Sequence, residues 1–136
     1  MNYLGIDYGD MRTGLAISHG GIIASAYKTV EGDYLPKVLK EIVKVINEEK
    51  IDVAVLGLPK NMDGTEGFRA HKTHAFADEL AKEFDGEIAF CDERLTTVSA
   101  TRIFNETDTK SKKRKGAVDK LAATIILQTY LDSQAR

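Results

Sequence analysis

The sequence lacks long apolar segments and has almost no cysteine. Its one cysteine, Cys91, cannot form a disulfide within the chain, and so low a cysteine content is typical of a reducing compartment. No apolar run approaches the roughly 18 residues that a membrane-spanning helix needs, and the N-terminus does not have the pattern of a signal peptide. These absences exclude a disulfide scaffold and a membrane-embedded protein, and they favour the cytoplasm.

The chain also lacks an excess of positive charge. It has 19 Lys and Arg against 21 Asp and Glu, so any attraction to nucleic acid must come from a local patch. The 43% apolar and 29% charged residues are ordinary for a soluble globular protein. The length of 136 residues, without internal repeat or linker, predicts a single domain over 1–136, present as a monomer or weak homodimer.

The hydrophobic pattern predicts three strands followed by alternating helices and strands. Residues 4–17 have the pattern of a β-hairpin, and 51–58 form a nearly continuous apolar run, typical of a buried strand. Further elements are expected as a strand at Ile22–Val30, helices at Tyr34–Lys50 and Phe68–Phe84, a strand at Glu87–Cys91, a helix from Thr96 or Thr97 toward Phe104, a polar segment at Asn105–Gly116, and a helix at Val118–Leu131. This order indicates an α/β fold, a mixed five-stranded sheet flanked by helices.

Asp7 is the residue that breaks the apolar pattern of the first strand. A charge inside such a strand is costly unless something compensates it. Strand alternation places Gly5 and Asp7 on one face, which leaves room beside the carboxylate for a metal ion and a phosphate backbone. The alternative is that Asp7 only caps the turn of the hairpin, and this stretch alone does not decide between the two.

Other acids stand at the ends of predicted elements. Asp92 and Glu93 end the last strand, and Asp119 opens the final helix on its apolar side. If the first and last strands are parallel, Asp7 and the Asp92–Glu93 pair share one sheet edge. Converging carboxylates of this kind suit divalent cations that act on a phosphodiester. Each acid also has a structural explanation: Asp92 as a turn cap, Glu93 as a partner of Arg94, and Asp119 as a favourable charge at a helix N-terminus.

The only dense basic run directly precedes Asp119. It consists of Lys110, Lys112, Lys113, Arg114 and Lys115. A solvated mobile loop without a ligand is the ordinary explanation of such a run. Its position beside a candidate metal ligand favours contact with a phosphate backbone, and we expect Lys110 to Lys115 to form a mobile loop that closes on that backbone. Arg12, in the first hairpin, is a further candidate nucleic-acid contact.

Four motifs in this order resemble the YqgF/RuvX family and span nearly the whole chain. They are Leu4-Gly5-Ile6-Asp7-Tyr8-Gly9 with Arg12-Thr13-Gly14-Leu15-Ala16, Gly57-Leu58-Pro59 with Asn61-Met62-Asp63-Gly64-Thr65-Glu66-Gly67, Asp92-Glu93-Arg94-Leu95-Thr96-Thr97, and Lys115-Gly116-Ala117-Val118-Asp119-Lys120-Leu121-Ala122-Ala123. The resemblance implies an RNase H-like fold related to the RuvC Holliday-junction resolvases. It also implies a cytoplasmic nuclease that matures the 5′ end of precursor 16S rRNA in ribosomal precursor particles, with Asp7, Glu93 and Asp119 as the acidic site and Mg²⁺ or Mn²⁺ as cofactor.

The second ligand of this acidic site is open. RuvC-like enzymes are expected to carry an acid on the strand that here ends at Pro59, and this chain has none there. Glu93 is therefore expected to supply the carboxylate, with Asp63 and Asp92 as alternatives. Resolution of branched DNA and a non-catalytic RNA-binding role are the competing functions. An actin-like ATPase would need a second lobe that 136 residues do not provide.

Overall fold

Five strands form one mixed sheet in the computed structural model, which describes residues 1–98 and 112–135. In chain order the elements are β1 (Asn2–Asp7), β2 (Arg12–His19), β3 (Ser25–Glu31), α1 (Leu35–Glu48), β4 (Val53–Leu58), α2 (Phe68–Ala81), β5 (Glu87–Asp92), a short 3₁₀ helix (Glu93–Leu95) and α3 (Lys112–Gln134). The strands lie in the order β3-β2-β1-β4-β5. Strand β2 is antiparallel to β1 and β3, whereas β4 is parallel to β1 and to β5. The predicted mixed five-stranded sheet is confirmed.

The carboxyl ends of the parallel strands meet at one edge of the sheet. Strand β1 ends at Asp7, β4 at Leu58 and β5 at Asp92. The registers pair Ile6 with Leu56, and Leu58 with Asp92, so the three ends are level with one another. The loops that follow these strands therefore surround a common surface, which is where open sheets of this type bind their ligands.

The two faces of the sheet are covered by different helices. Leu4 and Ile6 of β1 belong to a core formed with α1 and α2. Residues of the opposite face, such as Val55 of β4, pack with Ala123 and Leu127 of α3. Because side chains alternate along a strand, Gly5 and Asp7 point toward α3. No helix within the described ranges is long and apolar enough to cross a bilayer.

Several predicted boundaries were wrong by a few residues. Strand β3 begins at Ser25 rather than Ile22, because the turn at Gly20 and Gly21, both with positive φ, extends through the exposed Ile22 and Ile23. Helix α2 ends at Ala81, three residues before the predicted end. Apolar composition identified these elements, but turn geometry sets where they begin and end.

The basic run is where the prediction differs most from the structure. Helix α3 begins at Lys112, not at the predicted Val118, so Lys112 to Lys115 belong to a helix and not to a loop. Lys and Arg are good helix formers, so a run of these residues indicates exposure to solvent but does not distinguish a loop from a helix. Lys110 lies outside the described residues, as does most of the helix predicted from Thr96 or Thr97 toward Phe104.

Candidate active site

Asp7 lies at the C-terminal end of β1, on the face of the sheet that α3 covers. Its side chain is buried, with 5% of the residue exposed. The cross-strand partner of Asp7 in β2 is Gly14, and the two residues share a face of the sheet. Asp7 is therefore a buried carboxylate with a glycine directly beside it.

Gly14 brings Asp119 to the same place. A Cβ atom added at Gly14 would overlap the main-chain carbonyl oxygen of Asp119. Gly5, two residues before Asp7 in β1, is also in close contact with α3. A Cβ added at Gly5 would lie 2.7 Å from the Cβ of Leu127 and 2.9 Å from the carbonyl oxygen of Ala123. The absence of side chains at Gly5 and Gly14 thus allows α3 to lie directly on the sheet from Asp119 to Leu127.

Glu93 approaches from the other side, through Gly57 of β4. Its Cγ atom is 3.4 Å from the position that a Cβ would take at Gly57, which points at Ile126 of α3. Gly57 follows Leu56, the partner of Ile6, just as Asp7 follows Ile6. Glu93 is 5% exposed and begins the 3₁₀ helix after β5, and its buried side chain lies against Gly57 of β4.

The backbone around Glu93 is held by local hydrogen bonds. Thr96 donates twice to the carbonyl oxygen of Glu93, from its hydroxyl at 2.7 Å and from its amide at 3.0 Å. On the other side the amide of Arg94 donates to Oδ1 of Asp92 at 2.9 Å. Glu93 therefore has a fixed origin, as a precise ligand requires.

Asp119 is engaged by Arg12 in this structure. The Nε atom of Arg12 is 3.1 Å from Oδ2 of Asp119, and the side chains are 27% and 20% exposed. Among the described residues, no three His, Cys, Asp or Glu side chains converge closely enough to hold a metal ion as they stand. The three predicted acids are therefore placed at the same end of the sheet without forming a metal-holding group among the described residues, and the Asp119 carboxylate is paired to Arg12.

The two alternative acids have local partners of their own. Asp92 accepts hydrogen bonds from the Arg94 guanidinium, the shortest at 2.6 Å, and these bonds hold the pKa of Asp92 below its ordinary value. Asp63 accepts from the Thr65 hydroxyl at 2.6 Å and from the Thr65 amide at 3.0 Å, which lowers the pKa of Asp63. Asp92 thus caps the turn as the structural alternative predicted, and Asp63 stabilises its own loop.

The chemistry of the donor set fits a hard divalent cation. Asp7 and Glu93 are buried carboxylates on the same face at one end of the sheet, and oxygen ligands held in this way suit a divalent cation. Asp119 would complete the set once its carboxylate left Arg12. Oxygen-only ligands of this kind suit Mg²⁺ or Mn²⁺.

The structure gives positions for some of the residues predicted to contact phosphate. Arg12 stands at the site through its pair with Asp119. The backbone from Lys112 to Lys115 forms the first turn of α3, and Lys115 is four residues before Asp119, about 6 Å along the helix axis.

One surface beside the site was not predicted from the sequence. Lys72 of α2 binds Asp10 of the β1–β2 turn with an Nζ–Oδ1 distance of 2.6 Å, and this contact lowers the pKa of Asp10. Phe68, in the first turn of α2, is 73% exposed. The signal available in the sequence was an aromatic residue followed directly by Arg69 at a helix start.

Comparison with protein families identifies one that covers the chain. The family model of RuvX, described as Holliday junction resolvase, matches residues 1–133. A protein of Clostridium tetani named "Putative pre-16S rRNA nuclease" is 48% identical over 134 residues, which are 98% of this chain and 97% of that protein. A protein of Halothermothrix orenii with the same name is 44% identical over 135 residues, or 98% and 96% of the two chains.

Solved structures with this fold include two resolvases. RuvC of T. thermophilus, in complex with a Holliday junction substrate, superposes with a TM-score of 0.64 at 11% identity, covering 99% of this chain and 96% of that one. The fowlpox virus resolvase, with Holliday junction DNA, gives a TM-score of 0.60 at 12% identity over the whole of both chains. These similarities confirm the RNase H-like fold that the motifs implied.

Proposed function

The chain belongs to the RuvX family, and from that membership we propose that it is a metal-dependent endonuclease that processes the 5′ end of precursor 16S rRNA. The observation that carries the proposal is the placement of Asp7, Glu93 and Asp119 at one end of the sheet, where Glu93 lies against Gly57 and the main chain of Asp119 lies against Gly14. The names of the 44–48% identical relatives support this substrate.

In this proposal Asp7, Glu93 and Asp119 hold Mg²⁺ or Mn²⁺. A divalent ion bound there supplies Lewis-acid stabilisation of the charge that develops on the scissile phosphate. Asp7 and Glu93 have fixed backbones, at the end of β1 and in the 3₁₀ helix, so they define the position of the site. Asp119 joins them when Arg12 leaves its carboxylate, and Arg12 is then able to donate to a phosphate oxygen of the substrate.

The substrate backbone is held by cations next to the acids. Arg12 contributes from β2, and the basic run contributes from the start of α3 and the positions before it: Lys110, Lys112, Lys113, Arg114 and Lys115. Such contacts release counterions, so binding should weaken as salt rises. The net charge of −2 makes this local patch the source of attraction.

Cleavage of a DNA four-way junction is the second candidate activity. The description of the matching family model as Holliday junction resolvase favours it. The same acids and the same metal would act, because a phosphodiester is the reacting group in both substrates. Only the substrate distinguishes the two activities.

The test is a cleavage assay on a precursor 16S rRNA fragment and on a DNA four-way junction. Wild type is expected to cut the RNA with Mg²⁺ or Mn²⁺, poorly with Ca²⁺, and not in excess EDTA. Asp7→Asn keeps the shape of the side chain and removes its charge, so folding should survive while cleavage falls by orders of magnitude. Asp78→Asn, an exposed acid on α2, is the matched control and should cut like wild type.

Cleavage by Asp7→Asn at the wild-type rate would refute the site, and full activity in EDTA would refute the metal. Cleavage of the junction alone would transfer the assignment to DNA resolution. The phosphate contacts have a separate test, in which Lys112, Lys113 and Arg114 are changed together to Ala. Binding should weaken, and its salt dependence should fall by up to roughly one unit of slope per lost phosphate contact. An unchanged slope would place the substrate path elsewhere.

A further inference from the structure

The start of helix α2 lies at the same end of the sheet as Asp7, on the opposite face from α3. Lys72 reaches across to Asp10, three residues after Asp7, with a distance of 2.6 Å between Nζ and Oδ1. Tyr8, directly after Asp7, stacks on Phe76 of the same helix with 4.5 Å between ring centroids. These two contacts tie the second and third turns of α2 to the segment that follows the candidate catalytic Asp7.

A large aromatic ring is presented to solvent at this place. Phe68 is 73% exposed, although it belongs to a well-formed helix of 14 residues. The Nζ atom of Lys72 lies 4.8 Å from the centroid of the ring. Phe68 thus has one positive neighbour and an open face, which is the arrangement of an aromatic side chain on which a base can stack.

A cationic groove leads away from this ring. Its volume is about 290 Å³, and it is lined by Pro59, Lys60, Asn61, Gly67, Phe68 and Arg69. The lining contains two cations and no carboxylate; Glu66 approaches Lys60 from outside it, at 4.0 Å. Arg69 also borders a smaller depression formed with Tyr8, Gly9, Asp10 and Lys72. Within the described residues, Arg69 forms no ion pair, and Asp10 of the same depression is the acid with which it interacts at longer range.

We propose that Phe68, Arg69 and Lys72, together called the α2 surface, bind an unpaired segment of the nucleic acid next to the bond that is cleaved. The inference rests on the proposed function, since that function makes the ligand a nucleic acid. Arg69 suits a phosphate and the exposed ring suits the face of a base, whereas Lys72 is paired with Asp10 and lies over the Phe68 ring. A base offers its face only where it is not already stacked inside a helix, so the α2 surface selects single strands, loops or ends over a continuous duplex.

The test is fluorescence anisotropy in EDTA, so that binding is measured without cleavage. The probe is fluorescein-labelled oligoadenylate RNA of about 12 nucleotides, used as a single strand or annealed to oligouridylate. Wild type should bind the single strand more tightly than the duplex. Phe68→Leu retains apolar bulk without the aromatic face, and should weaken single-strand binding about 5- to 100-fold with much less effect on the duplex. Phe68→Tyr keeps an aromatic face and should bind the single strand about as tightly as wild type.

Arg69→Ala should weaken binding and lower the salt slope for the single strand by about one unit. Lys82→Ala, at the far end of the same helix, is the matched control and should change neither quantity. Circular dichroism of each variant verifies that the fold is retained, as the exposure of Phe68 leads one to expect. Equal binding by Phe68→Leu and wild type, or an equal loss for single strand and duplex, would overturn the inference. Failure of wild type to bind either RNA would overturn it as well, and would point to a protein partner for the exposed ring.

The two proposals can fail separately. Selective loss of single-strand binding in Phe68→Leu, with no cleavage by wild type in any metal, would uphold the α2 surface and refute the nuclease. Metal-dependent cleavage by wild type, with no effect of Phe68→Leu on binding, would uphold the nuclease and refute the α2 surface.

Discussion

Gly14→Ala tests the contact that brings Asp119 to Asp7. Gly14 pairs with Asp7 across β1 and β2, and a Cβ at this position would overlap the carbonyl oxygen of Asp119. The obstructing atom belongs to the helix backbone, so no side-chain rotation can relieve the overlap. Either β2 or the first half of α3 has to move, and Asp119 moves with the helix.

The sign of the stability change separates this contact from an ordinary strand position. At an unobstructed site inside a strand, replacing Gly by Ala stabilises a protein by about 0.5–1 kcal/mol, because the unfolded chain loses freedom. Overpacking against a rigid neighbour costs about 1–3 kcal/mol. The expected result for Gly14→Ala is a net loss of about 1–2 kcal/mol, or roughly 3 to 8 °C in Tm for a domain of this size.

Urea unfolding measures this change, and the cleavage assay measures its consequence. Gly67→Ala serves as the control for stability, since its Cβ would meet only the Asn61 side chain, at 3.6 Å. Because Gly67 is the N-cap of α2, the Gly67→Ala variant should lose less than about 1 kcal/mol of stability. Cleavage by Gly14→Ala should fall at temperatures where the variant is fully folded, because Asp119 is displaced. A Gly14→Ala protein that is as stable as wild type, with full activity, would refute the packing of α3 on β2 described here.

Three other expected outcomes concern the ligand set and the core. Glu93→Gln should abolish cleavage at saturating metal while Asp63→Asn stays active, because Asp63 is held by Thr65; the reverse pattern would make Asp63 the ligand. Arg12→Ala should tighten Mn²⁺ binding in isothermal titration by roughly two- to fivefold, because it removes a partly exposed positive charge that competes with the metal for the Asp119 carboxylate. Weaker Mn²⁺ binding would contradict that account. Cys91 should resist iodoacetamide at pH 8 until the protein unfolds, because burial raises the pKa of the Cys91 thiol to about 11. Rapid labelling of the native protein would show that β5 is more open than described.

The order of the elements could be predicted because the hydrophobic periods are clear. The continuous apolar run at 51–58 became the fully buried β4, and the spacing of apolar residues after Tyr34 became α1. The ends of elements were less predictable. Ile22 and Ile23 are apolar and were assigned to a strand, yet the positive φ at Gly20 and Gly21 keeps them in the exposed turn.

The candidate site could be predicted only where one residue contradicts its surroundings. Asp7 stands out because it is a charge in an apolar strand, and the structure places it where strand alternation indicated. The ion pair between Arg12 and Asp119 could not be predicted from the sequence, because 107 positions separate the two residues. The α2 surface was missed for a related reason: exposure of Phe68 depends on what the rest of the chain does not cover.

Packing and chemistry are coupled at this corner through the size of three residues. Gly5, Gly14 and Gly57 stand on three adjacent strands, and a side chain at any of them would meet α3. Glycine normally weakens a strand interior, so its presence at these positions requires a compensating gain. The close approach of α3 provides that gain in packing, and the same approach sets the height of Asp119 above the end of β1. It follows that a substitution that adds bulk at Gly5 or Gly57, although it leaves every acid in place, should disturb the geometry of the site together with stability.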